Sequence, residues 1–409
     1  MSRSDKRGNR WCVAPDEGYS GQNAAVLRPH QSPAVTAAPL FVIYGDISPR
    51  RGENLSLPGE AFILKVDFHG RYFSPIAALF HLCYNSPIKH FGDLLMNYYA
   101  APMEGLTDRV WRQAHQKWFG PAGAADRYYA PFLSPPENRV LIKKKMAELA
   151  PAANPGAPVI PQLLAKDGKL AAWMIGELRK LGYTEVNLNL GCPAGTVTAK
   201  GKGSGMLRDL AKLDAFLAAV FANAEGPISV KTRLGVDKPE EFAAILDIYN
   251  RYPICELTIH PRVMRQQYRG QADRAAFSAA LPGCRMPVCY NGDVTTAADL
   301  HMLEEQYPQL SGIMVGRGLI ADPALFRVAR GGAPAAREEL RGYLDDLYHG
   351  YTELFGSAGC AVSRMKGHWF YLIHKFEGSE KLEKQLRKAR EPWEYEVVVN
   401  QIFTLPFRP

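Results

Sequence analysis

From Met96 onward, short apolar runs alternate with longer stretches in which apolar residues recur every three or four positions. The short runs, bounded by Gly, Pro and polar residues, read as buried strands, and the longer ones as amphipathic helices. Their regular alternation marks repeated β–α units around a parallel sheet. Strands are predicted over 98–101, 128–130, 159–163, 185–190, 228–232, 256–260, 288–291 and 313–316. Helices are predicted over 107–118, 169–181, 210–224, 239–249 and 296–306, with Thr107 and Thr296 as N-caps and Gly182 as a stop. A set of eight such strands closes most economically as a (β/α)8 TIM barrel, an α/β fold.

The pattern differs on both sides of that block. Residues 1–95 carry scattered Gly and Pro and no sustained period, so they are expected to be an N-terminal extension, poorly ordered or loosely structured. Met96 stands immediately before the first strand, where translation of a compact barrel protein would begin. The extension is therefore expected to add nothing to catalysis, and its place in the natural protein is open. The barrel is assigned to 96–332. After Gly331-Gly332-Ala333-Pro334 the period becomes helical throughout, with Leu340, Leu344, Leu347 and Tyr351 on one face. This defines a small C-terminal all-helical domain over 333–409.

Composition narrows the class. Of 409 residues, 47% are hydrophobic and 22% charged, as in ordinary globular proteins. Apolar runs are too short to span a bilayer, and the polar, basic first ten residues are unlike a secretory signal, so a cytoplasmic location is expected. The seven cysteines show no paired or metal-ligand spacing, which favours free thiols and no metal. The net charge of +8 leans toward a polyanionic partner. From Pro334 on, eleven Lys/Arg meet eleven Asp/Glu, so nucleic-acid contact there must come from a local patch.

The notable polar residues fall at predicted strand ends, the reaction edge of such barrels. Gly292, Gly316 and Gly318 would let backbone N–H groups approach an anion, with Arg317 adding charge, although ordinary glycine turns look the same. Lys231 interrupts an apolar strand, and charges are rarely buried without a role or a partner. Cys192, among small residues, is as readily an inert buried thiol as a reactive one. The stretch Gly201-Lys202-Gly203-Ser204-Gly205 is either a linker or a mobile loop closing over substrate. Arg364, Lys366, His368 and Lys375 interleave with Trp369, Phe370 and Tyr371; that mixture suits RNA, and equally an amphipathic helix with its aromatics in the core.

From Met96 to about residue 330 the chain resembles the dihydrouridine synthases, and its helical tail resembles that family's second domain. The resemblance is carried by APMEGLTD (101–108), Gln162, NLGCP (189–193), the Gly-rich loop ending Met206-Leu207, KTRLG (231–235), HPR (260–262), QYRG (267–270), Asn291-Gly292-Asp293 and Gly316-Arg317. Glu104 is similar to the bacterial C-type branch. The resemblance implies FMN in the barrel, NADPH as reductant, and a uridine of tRNA (or of rRNA) turned out into the site. Hydride then reaches C6 and Cys192 protonates C5. Implied FMN contacts are Pro102, Met103, Glu104, Gln162, Lys231, His260, Asn291, Gly292, Asp293, Gly316 and Arg317. Asn189 and Arg233 would hold the base or sugar, Arg262 and Arg265 the RNA phosphates, and Arg364 and Lys366 RNA on the helical domain. A monomer is expected.

Two departures lie at positions expected near the substrate mouth. Tyr129-Ala130-Pro131-Phe132 replaces a common Thr-Glu pair, and Arg274 stands where an aromatic usually follows Ala272-Asp273. Two other readings remain: an FMN-dependent reductase of a free pyrimidine or other small alkene, and a catalytically silent RNA-binding relative.

Overall fold

Nine short parallel strand segments close as eight strands: β1 (Tyr98–Ala100), β2 (Arg127–Tyr129), β3 in two halves (Val159–Ile160 and Gln162–Leu163), β4 (Val186–Leu190), β5 (Ile228–Gly235), β6 (Leu257–Val263), β7 (Val288–Tyr290) and β8 (Gly312–Val315). This computed structural model describes residues 96–409, Pro121 aside, and the expected extension over 1–95 lies outside the described residues. Each strand pairs in parallel with its sequence neighbours, and β8 returns to β1. The first half of β3 pairs with β2 and the second with β4. Between the halves Pro161 has no N–H to give the ladder, while its carbonyl accepts from Asn187 N at 2.8 Å. The chain is an α/β TIM barrel.

Strand side chains alternate between two buried faces. Val186, Leu188 and Leu190 of β4 and Ile228 and Val230 of β5 join the main apolar core. Their neighbours Asn187, Asn189 and Ser229 turn the other way, into the barrel, and are buried there. Register sets Gln162 beside Asn187, Asn187 beside Ser229, and Asn189 beside Lys231.

The longer helices are α1 (Arg109–Phe119), α2 (Gly168–Lys180), α3 (Leu210–Asn223), α4 (Phe242–Tyr249), α5 (Arg274–Ala280) and α6 (Ala297–Gln306), then the short α7 (Arg317–Ala321) and α8 (Leu325–Ala329). Thr296 caps α6 as expected, exchanging bonds with Asp299. Thr107 does not cap α1. It accepts from Met103 N at 2.8 Å and donates to Ala101 O at 3.2 Å, closing the β1–α1 turn. The cap falls to Asp108, whose carboxylate accepts from Trp111 N at 3.3 Å.

The C-terminal segment is helical throughout: α9 (Arg337–Phe355), α10 (Ala358–Leu372), α11 (Glu380–Lys388) and α12 (Pro392–Ile402). Leu340, Tyr343, Leu344, Leu347 and Tyr351 bury one face of α9, which lies along α1. Tyr351 Oη donates to Asp108 Oδ1 at 3.0 Å, and Trp118 Nε1 donates to Asp346 Oδ2 at 2.6 Å. These contacts bring α10 to the barrel mouth. Among the described residues no helix is long and apolar enough to cross a membrane.

Candidate active site

The end of β4 is pinned by its own side chain. Asn189 Oδ1 accepts from Gly191 N at 3.2 Å and Cys192 N at 2.9 Å, while its Nδ2 donates to Gln162 Oε1 at 2.8 Å. Asn189 lines the cavity but spends most of its amide on the turn. Below, Ser204 donates to Cys192 O through its N (3.1 Å) and its Oγ (2.9 Å). Gly203, Ser204 and Gly205 of the Gly-rich stretch, with Met206 and Leu207, are buried against the cysteine turn, while Gly201 is exposed. Gly203 has φ +56°, and a Cβ there would lie 2.7 Å from Cys192 O, so close packing demands the glycine. Burial pushes the half-buried Cys192 thiol up from its ordinary value, against the Ala194 N–H and the charges of Arg233 and Lys231. The thiol stays protonated at neutral pH.

Cations face it from β5. Lys231 has no ion-pair partner among the described residues, and burial, then the neighbouring Arg233, pushes its ammonium down to about 8. Arg233 is buried and binds Gly191 O at 3.0 Å, Val263 O at 3.1 Å and Gln267 O at 2.7 Å, which ties the cysteine turn to the end of β6. Its Nη2 is buried, and Tyr268 packs beside the guanidinium. His260 is held well below its ordinary value, first by burial and then by the charges of Lys231, Arg233, Arg262 and Arg317.

Arg262 is corrected by its surroundings. It is 1% exposed, so no RNA phosphate reaches it. Its Nη1 meets His260 Nε2 at 2.9 Å, and its Nη2 donates to Asp293 Oδ2 at 2.5 Å and Gly270 O at 2.6 Å. A guanidinium only donates, so Nε2 is the acceptor and the imidazole proton sits on Nδ1. Asp293 accepts a second guanidinium, Arg317 Nη2, at 2.8 Å. Asp293 (φ 47°) and Gln267 (φ 52°) both take the left-handed backbone region, and both line the cavity. The glycine at 318 answers to packing, since a Cβ there would fall 2.2 Å from Val294 O.

These groups enclose a cavity of about 580 Å³ at the carboxyl ends of the strands. Cys192, Asn189 and Arg233 line it, with Pro102, Met103, Glu104, Lys231, His260, Asn291, Gly292, Asp293, Gly316 and Arg317. Gln162 does not. It is fully buried beneath Asn189, its Nε2 donating to Asn187 Oδ1 at 2.8 Å. Pro131 and Phe132 line the cavity, so that departure does sit at the mouth; Arg274 turns away toward Met302.

Three aromatic residues stand at the rim: Phe370 and Tyr371, open in sequence between RNA and core, and Tyr268, which had no expected role. Tyr268, 57% exposed, lies between the guanidinium groups of Arg233 (5.4 Å) and Arg317 (5.2 Å). Phe370, 60% exposed, and Tyr371 reach the same rim from α10. The basic–aromatic mixture on α10 and the turn after it divides: His368, Trp369 and Lys375 are buried, Lys375 pairing with Asp322 at 3.2 Å. Lys366 binds Ala389 O, and Arg265 pairs with Asp237 outside the cavity. Arg364 packs over the rings of Tyr351 and Phe355.

Side chains at the carboxyl edge of a parallel barrel face the reaction chamber in enzymes of this architecture, and by fold and site the chain is one of that class. The family profile described as dihydrouridine synthase matches residues 99–404, and the chain belongs to the dihydrouridine synthase family. It is 28% identical over 280 residues to a probable tRNA-dihydrouridine synthase of Rhodobacter capsulatus, covering 66% of this chain and 84% of the relative. It is 28% identical over 317 residues to the tRNA-dihydrouridine(16) synthase of Cupriavidus necator (74% and 95%). A tRNA-dihydrouridine synthase B of Pseudomonas putida is 27% identical over 232 residues (56% and 67%), so these likenesses carry the family and not a branch. Among solved structures, morphinone reductase is similar with a TM-score of 0.44 and 11% identity, covering 59% of this chain and 87% of that one.

Proposed function

We propose that this chain reduces the C5–C6 double bond of uridine in transfer RNA to 5,6-dihydrouridine, with FMN seated in the barrel and NADPH as reductant. The observation that carries the reading is the Cys192 turn: a thiol kept protonated by burial, fixed by Asn189 and Ser204, facing a cavity lined by Lys231 and Arg233.

The donor set fits FMN. Lys231, which has no ion-pair partner among the described residues, suits the electron-rich edge of a ring, and Arg317 beside Gly316 suits a phosphate. When bound and reduced, FMN supplies the hydride that reaches C6. Cys192 gives its proton to C5, and the thiolate is reprotonated from solvent. Uridine thus gains one hydride and one proton while NADPH is oxidised to NADP+. Arg233 ties the cysteine turn to the cavity wall, beside which the base would lie. A base inside folded RNA must leave its stack to enter, and the exposed rings of Tyr268 and Phe370 offer it and its neighbours an apolar threshold. Relatives named for tRNA favour that substrate over ribosomal RNA.

The test is to incubate the flavin-loaded protein with NADPH and unmodified transfer RNA, ribosomal RNA or free uridine, then count dihydrouridine by mass spectrometry. Product on transfer RNA is expected. Equal turnover of free uridine, or no product on any RNA, overturns the reading.

A further inference from the structure

The barrel interior carries an unbroken line of side-chain hydrogen bonds from its closed end to the cysteine. At the bottom, Arg127 Nη1 donates to Glu185 Oε2 at 3.1 Å, with the Arg127 side chain 36% exposed. Ser229 Oγ donates to Glu185 Oε1 at 2.6 Å and accepts from Asn187 Nδ2 at 2.9 Å. Asn187 Oδ1 accepts from Gln162 Nε2, and Gln162 Oε1 accepts from Asn189 Nδ2, each at 2.8 Å. Asn189 Oδ1 then accepts the two backbone N–H groups of Gly191 and Cys192.

Every donor in this line points the same way, toward Glu185. A carboxylate held by a guanidinium only accepts, so Ser229 must give it its proton and can only accept from Asn187. That fixes the Asn187 amide, which fixes Gln162, which fixes Asn189. A primary amide alone has two orientations of nearly equal shape, and the wrong one would set the Asn189 NH2 against two backbone N–H groups. The neighbouring carboxylate Glu256 meets the line only at Arg127, 3.8 Å away, and bonds none of Ser229, Asn187, Gln162 or Asn189: it accepts from Tyr129 Oη at 3.0 Å and Tyr99 Oη at 3.2 Å.

We infer that Glu185, Ser229, Asn187 and Gln162 are positioning residues, which orient the Asn189 amide from the far end of the barrel and so hold the Cys192 turn in register. The catalytic meaning rests on Cys192 as the proton donor; the structural claim does not.

The test follows the thiol directly. Full-length protein is treated with iodoacetamide at neutral pH, and the labelling rate of the Cys192 peptide is read by mass spectrometry. Ser229→Ala and Glu185→Gln each free the amides to turn, and should change that rate by roughly fivefold, the factor that matches one lost buried hydrogen bond. Ser229→Thr keeps the hydroxyl and should restore the wild-type rate. Glu256→Gln disturbs an equally buried carboxylate off the line and should leave Cys192 labelling as in wild type. If Ser229→Ala does not fold, Glu185→Gln carries the comparison. Wild-type labelling in the first two variants overturns the inference, and so does an equal change in Glu256→Gln. Absence of dihydrouridine with the wild-type protein would instead count against the proposed function, and would leave the labelling comparison readable.

Discussion

In the proposed reaction Cys192 holds its proton until a substrate carbon takes it, and burial, outweighing two nearby cations, favours that protonated thiol. The Cys192→Ala variant should still bind FMN and be reduced by NADPH, while dihydrouridine forms about 10²–10⁴-fold more slowly, the usual share of a general acid; stopped-flow absorbance and product counting separate the two steps. Asp293 offers a pH test. Burial works to raise its pKa, but the Arg262 bond, the Ala272 N–H and the charges of Arg262 and Arg317 outweigh it and hold the carboxyl below its ordinary range. A depressed carboxyl contributes stability that is complete above its unfolded pKa, about 3.9, and is lost as pH falls through the lower folded value. The gap in unfolding free energy between wild type and Asp293→Asn should therefore stay flat from neutrality to about pH 5 and narrow in acid, as urea titrations across that range would show. That Cys192, Lys231 and Arg317 line one cavity was readable because motif and strand-end position agreed. Arg262 misled because sequence shows a charge but not the carboxylate that claims it.

At the scale of the element, all eight strands were legible to within a few residues, since apolar runs between breakers leave few alternatives. What went unread was the direction of the polar residues inside them. Glu185, Asn187 and Asn189 alternate with Val186, Leu188 and Leu190, which by period alone reads as a strand with one wet face. In a closed barrel that face is interior, and the amides find each other there. Caps were half legible: Thr296 was found, but at α1 two candidates adjoin, and the one not needed for the turn prevails. Asp108 also joins α1 to α9 through Tyr351. Thr296→Ala should cost about 1 kcal/mol, as lost caps do. Asp108→Ala should cost roughly 2 kcal/mol, because it also removes the bond from Tyr351, whose hydroxyl is left with His368 Nε2 alone. Denaturant midpoints of the two variants test that order.

On the scale of the whole molecule, the mouth is assembled from two distant parts of the chain, Tyr268 after β6 and Phe370 with Tyr371 on α10. On α10 the core alternative holds for Trp369 and His368, while Phe370 faces out, where the RNA alternative can be tested. Stacking on a base is worth about 1–3 kcal/mol, so Phe370→Ala should raise KM for transfer RNA about tenfold while the rate of flavin reduction by NADPH without RNA is unchanged. An unchanged KM would leave that ring without a part in binding. The division also sets an order in time. A ribosome that has completed β8 has made every strand of the barrel but neither α10 ring, and at roughly 5–20 residues per second several more seconds pass before Tyr371 exists. Through most of that interval the nascent chain has the barrel's half of the chamber without the wall proposed to meet RNA, so this protein should acquire its cofactor pocket before it acquires its substrate.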